Sequence, residues 1–106
     1  NADAYYYFID QLESNNVSIP VTPGIMPINN FVQLARFSDM CGAEIPRWLR
    51  KRFESYGDDL DSIVALGLDI ITDLCEQLIK IGVPGLHFYA MNQSKNTLKI
   101  IDNLKV

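Results

Sequence analysis

Metal chemistry is the first thing this sequence makes hard to build. It holds one histidine and two cysteines in 106 residues. Cys41 and Cys75 show no ligand spacing toward His87, and no Cys-x-x-Cys pair exists. Both cysteines sit in apolar, helix-like stretches and read as reduced core thiols. No Gly-x-Gly-x-x-Gly or Walker-type run is present, so no phosphate-cradling loop is read. Excess positive charge is also missing. The formal net charge of −4 argues against a nucleic-acid module, which needs a basic footprint. Arg47, Arg50, Lys51 and Arg52, beside Trp48, form a short basic patch that reads as a solvated helix face. Long apolar runs are broken by Asp69, Asp73 and Glu76, so no membrane span or secretory signal is read. The sequence opens Asn1-Ala2-Asp3 without an initiator methionine, as processing or a start in mid-protein would leave it.

What is present is ordinary globular composition, with 48% apolar and 21% charged residues. Asp3 is placed to cap a helix over 4–14, whose apolar face carries Tyr5, Phe8, Ile9 and Leu12. The Tyr5-Tyr6-Tyr7-Phe8 run reads as a packed face with one or two rings partly exposed. Val17 to Thr22, rich in β-branched residues, reads as a strand that Pro20 weakens. Pro23-Gly24 then signals a turn. Asn30 with Gln33 resembles a capping box for a helix to about Cys41, stopped by Gly42. Pro46 suits the first turn of a short helix ending near Phe53.

The strongest helix spans 59–81. Ile63, Leu66, Ile70, Leu74 and Leu78 form its stripe, widened by Val64, Leu68, Ile71, Cys75 and Ile79. Asp58, Asp59 and Asp61 complement its N-terminal dipole, and Gly82 ends it. Residues 86–91 read as a second strand. Ser94 or Asn96 caps a last helix through Leu98, Ile101 and Leu104. Two strands joined by a helical crossover imply parallel pairing and a right-handed βαβ unit. Two strands are an incomplete sheet, and a closed barrel of this class needs about 250 residues. The fold class expected is α/β: the C-terminal portion of a (βα)8 TIM barrel, with about two parallel strands and flanking helices. A self-contained two-strand α/β domain is the competing reading.

The run Ile19-Pro20-Val21-Thr22-Pro23-Gly24-Ile25-Met26-Pro27-Ile28, followed by Asn30-Phe31, resembles the seventh-strand region of the methylenetetrahydrofolate reductase barrel. That family reads Ile-x-Pro-Gly-Ile-x-Pro there, then Asn-Phe. Gly85-Leu86-His87-Phe88-Tyr89-Ala90-Met91-Asn92 is similar to its eighth-strand signature, His-Phe-Tyr-Thr-Leu-Asn. Between them, Ile45-Pro46 to Phe53 matches a short helix that the family has after an Ile-Pro step. The resemblance covers essentially the whole chain. It implies one partial domain, residues 1–106, holding the sixth helix and the seventh and eighth βα units.

The resemblance further implies a parent oxidoreductase with FAD. It would reduce 5,10-methylenetetrahydrofolate to 5-methyltetrahydrofolate with NADH or NADPH, a step of one-carbon metabolism that feeds methionine biosynthesis. The expected setting is cytoplasmic. The expected partners are the folate substrate and the nicotinamide cofactor, with no nucleic acid and no membrane. The isolated chain is expected to be inactive and to bind no flavin, because the first six strands carry most FAD contacts and the catalytic glutamate. It can oligomerise by pairing its strand edges. The alternative is a non-enzymatic α/β fragment or interaction domain derived from such a barrel.

By the same resemblance, Phe31 stacks on folate and nicotinamide cofactor in turn, and Tyr89 lines the substrate site. Alternation puts His87, Tyr89 and Met91 on one face. Met91 stands where the family usually has leucine. Gln93 stands where many members have arginine, so it keeps hydrogen bonding and loses the cation. Pro23, Gly24 and Pro27 shape the loop after the seventh strand; Gly24 permits a positive φ or a close backbone approach. No catalytic residue and no metal ligand is assigned within this segment. His87 reads as an interior structural residue.

Overall fold

The structure, a computed structural model, describes residues 2–28, 30–42, 45–90 and 94–104. Its order is α1 (Ala2–Ser14), β1 (Gly24–Ile25), α2 (Phe31–Cys41), α3 (Arg47–Tyr56), α4 (Leu60–Ile81), β2 (His87–Phe88) and α5 (Ser94–Leu104). The strands pair in parallel, Gly24 opposite His87 and Ile25 opposite Phe88. The helices follow their local chemistry. Asn30 caps α2 by accepting from the Gln33 backbone N–H at 3.1 Å, and Gly42 ends it in the left-handed region. Asp59 caps α4: its carboxylate accepts from the Ser62 N–H at 3.2 Å and the Ser62 hydroxyl at 2.7 Å. These bonds, the hydroxyl's first, hold the Asp59 carboxyl below its ordinary range. Gly82, at φ 96°, closes α4.

Several expectations need correction. The strand expected over 17–22 forms no ladder. Two of its backbone groups bond to α1 instead: the Val17 N–H donates to the Leu12 carbonyl at 2.9 Å, and the Tyr5 hydroxyl donates to the Val21 carbonyl at 2.8 Å. The pairing falls later, so Gly24 belongs to a strand rather than a turn. The second strand is shorter than 86–91, and Met91 lies outside the described residues. Asp3 stands in the first turn of α1, not at its cap. On α1, Tyr6, Tyr7 and Phe8 are all exposed, so only Tyr5 of that run packs against the core. On α5 the buried positions are Thr97 and Ile100, while Leu98 faces out.

The core lies on one side of the sheet. Ile25 is buried and Phe88 packs against the same cluster, with Phe53 from α3, Ile63, Leu66, Ile71, Cys75 and Leu78 from α4, and Ile100 from α5. The other side, with Gly24, His87 and Tyr89, is exposed. Parallel sheets are normally covered on both faces. The radius of gyration is 14.6 Å, above the ~13 Å of a compact domain of about 100 residues. Such an open, one-sided βα unit is what a segment of a larger barrel looks like. No helix among the described residues is long and apolar enough to cross a membrane.

Two core positions give direct tests. Gly67 lets α4 approach the chain after β1: a Cβ there would lie 2.8 Å from the Ile28 Cβ and 3.0 Å from its carbonyl oxygen. The carbonyl is backbone and cannot rotate away. Alanine would gain roughly 1 kcal/mol of helix propensity, but overpacking costs about 1–3 kcal/mol. Gly67→Ala is therefore expected to lower the denaturant midpoint.

Cys75 is a free thiol, fully buried, and desolvation raises its pKa from 9.0 to about 11. The unfolded thiol ionises first, so this contribution is intact below pH 9 and is lost as pH rises toward 11. Stability should fall through that window at up to ~1.4 kcal/mol per pH unit. Denaturation curves of Cys75→Ala should show a shallower alkaline decline. The Cys41 side chain lies outside the described residues.

Candidate functional site at the strand ends

The carboxyl ends of β1 and β2 carry the candidate site. The ladder continues one residue past the paired strands. The His87 N–H donates to the Pro23 carbonyl at 3.0 Å, and the Tyr89 N–H donates to the Ile25 carbonyl at 2.8 Å. Tyr89 is thus fixed by its backbone where β2 ends, while its side chain stays 49% exposed. The ring folds back over Gly24: a Cβ on Gly24 would stand 2.8 Å from the phenolic oxygen and 3.0 Å from Cζ. His87 packs edge-on against the same ring, with centroids 4.9 Å apart at 76°. Close approach, not positive φ, is what Gly24 provides, since the positive-φ glycines are Gly42, Gly57 and Gly82.

Phe31 is placed differently. It opens α2, directly after its Asn30 cap, and stacks on the buried Phe53 ring at 5.3 Å and 9°. The Arg50 guanidinium carbon lies 5.9 Å from the Phe31 centroid, a cation–π contact from α3. Phe31 is half-buried, and no ring contact joins it to Tyr89 among the described residues. The Phe31–Phe53–Arg50 set was not anticipated from sequence. Its one signal was that Arg50 and Phe53 lie three apart on one helix face. Pro27 is buried behind the strand ends. Met91 and Gln93 lie outside the described residues.

A cavity of about 530 Å³ lies on the helix side, lined by Met26, Ile28, Leu34, Trp48, Leu49 and Leu74 among others. It contains neither Phe31 nor Tyr89. Its size suits a small ligand, and its lining also includes Asp3, Asp73 and Gln77, with the Gln77 amide donating to the Asp73 carboxylate at 2.7 Å. It lacks both rings that the sequence singles out, so the strand ends remain the better candidate. Among the described residues no group of three or more His, Cys, Asp or Glu could hold a metal ion. The strand-end groups can stack against a planar ring and exchange hydrogen bonds through the Tyr89 hydroxyl.

One-sided parallel pairing of two strands with flanking helices is the open sheet of a partial α/β barrel, a fold class whose sites form at the carboxyl ends of the strands. The chain belongs to the methylenetetrahydrofolate reductase family, whose sequence model matches residues 1–105. It is 37% identical over 94 residues to the 5,10-methylenetetrahydrofolate reductase of Buchnera aphidicola from Schizaphis graminum, covering 89% of this chain and 32% of that protein. It is 31% identical over 106 residues to the Escherichia coli protein of the same name, covering all of this chain and 36% of that protein. Against methylenetetrahydrofolate reductase (NADH) 1 of Arabidopsis thaliana it is 29% identical over 104 residues, 98% of this chain and 18% of that protein. The chain thus spans about a third of the bacterial relatives' length.

The packing of Phe31 yields a test that needs no ligand. Truncating it removes an aromatic stack and leaves part of Phe53 uncovered. Phe31→Ala should cost about 1–3 kcal/mol of stability, read from denaturant unfolding without substrate or cofactor.

Proposed function

We propose that the polypeptide carrying this chain is an FAD-dependent oxidoreductase that reduces 5,10-methylenetetrahydrofolate to 5-methyltetrahydrofolate with NADH or NADPH. The observation that carries this reading is the family match along residues 1–105. The exposed aromatic platform at the strand ends supports it. On this reading the chain is the sixth helix and the seventh and eighth βα units of the barrel. Its share of the work is binding. Tyr89 presents its ring and hydroxyl to the folate, and the family resemblance adds Met91 and Gln93 to the binding residues. Phe31 adds an aromatic edge, and Pro23, Gly24 and Pro27 shape the seventh-strand exit. No catalytic residue is assigned to this segment.

FAD, when bound, supplies the hydride relay between nicotinamide and folate. The groups present here fit a planar ring rather than a pyrophosphate. Tyr89 offers a half-exposed aromatic surface, and no glycine-rich phosphate loop occurs in the sequence. Residues outside this chain would therefore supply most flavin contacts. The setting proposed is the cytoplasm, and the isolated chain can form a homo-oligomer by pairing its strand edges.

Purified full-length protein should show the flavin absorption band and oxidise NADH or NADPH in a methylenetetrahydrofolate-dependent reaction. The isolated 106-residue chain should do neither. A colourless full-length protein without reductase activity would contradict the proposal. Stoichiometric flavin on the short chain would overturn the assignment of the flavin contacts.

A further inference from the structure

We infer that Gly24 is a positioning residue: its missing side chain is the seat on which the Tyr89 ring rests, and this seat sets the angle of that ring toward a bound planar heteroaromatic ligand. Three observations lead there. First, Gly24 has no positive φ, so its backbone would accept alanine. The usual conformational reason for glycine is missing. Second, the three nearest atoms to a Cβ at Gly24 all belong to the Tyr89 ring, among them the hydroxyl at 2.8 Å and Cζ at 3.0 Å. Real Cβ atoms do not come that close, so the obstacle to a side chain at Gly24 is this ring. Third, Tyr89 is held without being buried. Its N–H is fixed to the Ile25 carbonyl at 2.8 Å, His87 meets it edge-on, and the side chain remains 49% exposed.

The ring is therefore pre-set while part of its surface stays open. A side chain at Gly24 would lift it. Because the obstructing atoms end a half-exposed side chain, the ring can swing away, and Gly24→Ala should fold. The cost would fall on ligand placement, where misplacement by about 1 Å can cost on the order of 100-fold. The ligand class rests on the proposed function; the seat itself does not.

The test uses full-length protein in two arms. In the first, the protein is labelled with 3-fluorotyrosine, and the Tyr89 resonance is identified by its loss in Tyr89→Phe. Gly24→Ala should shift that resonance with no ligand present, and an unmoved resonance overturns the seat. In the second, Gly24→Ala should raise the KM for methylenetetrahydrofolate by roughly 10-fold or more with flavin content unchanged. Tyr89→Leu should raise it similarly, and the double variant should be no worse than Tyr89→Leu alone. Losses that multiply, or a silent Gly24→Ala in an active reductase, overturn the inference. A shifted resonance in a parent protein without reductase activity sinks the functional reading and leaves the seat intact.

Discussion

Two pairs of parallel residues hold this unit together. Gly24 faces His87 and Ile25 faces Phe88, and everything between them must fold so that those four residues meet. The crossover does this through α4. Its buried stripe packs on the side of the sheet that Ile25 and Phe88 face, and Gly67 lets the helix come down onto Ile28. A short ladder tolerates no slip, because a shift of one residue would turn Ile25 and Phe88 outward and Gly24 and Tyr89 inward. The alternation that buries Ile25 is thus the same alternation that exposes Tyr89. Core and site are two faces of one register.

That coupling separates the candidate functional residues by kind. Tyr89 stands on the open face and is held in place by backbone and by Gly24. Phe31 stands on the helix side of the strand exit and already has Phe53 as a stacking partner. Any role for Phe31 in ligand binding must use surface that Phe53 leaves free. The cavity near Trp48, lined by apolar side chains together with Asp3, Asp73 and Gln77, is a third surface that includes neither ring. An exposed Trp48 and an exposed Tyr6-Tyr7-Phe8 run fit a unit that presents apolar surface to further chain.

The helices were legible because their signals are local. Asn30, Asp59, Gly42 and Gly82 act within one turn, and the stripe of α4 repeats for 22 residues. The strands were less legible because pairing is not local. Val17 to Thr22 has the better β-propensity, yet its Val17 N–H and Val21 carbonyl bond to α1, and the ladder forms at Gly24, which has almost none. Reading Pro23-Gly24 as a turn followed from composition; only a partner strand identifies it as an edge of the sheet. The family resemblance rested on motifs that span both strand ends, so it survived this shift of boundary. The Gly24–Tyr89 contact joins residues far apart in sequence, and the Arg50–Phe53 spacing on α3 does not reveal that Phe31 joins that pair.

On the proposed function this open face is an interior of a larger barrel, with the ligand at its carboxyl edge. A crystal structure of the full-length protein with bound folate tests it most directly. Further parallel strands are expected beside β1 and β2, with helices outside and the Tyr89 ring over Gly24 facing the ligand. A separate two-stranded domain, with the ligand bound elsewhere and Tyr89 open to solvent, would contradict it.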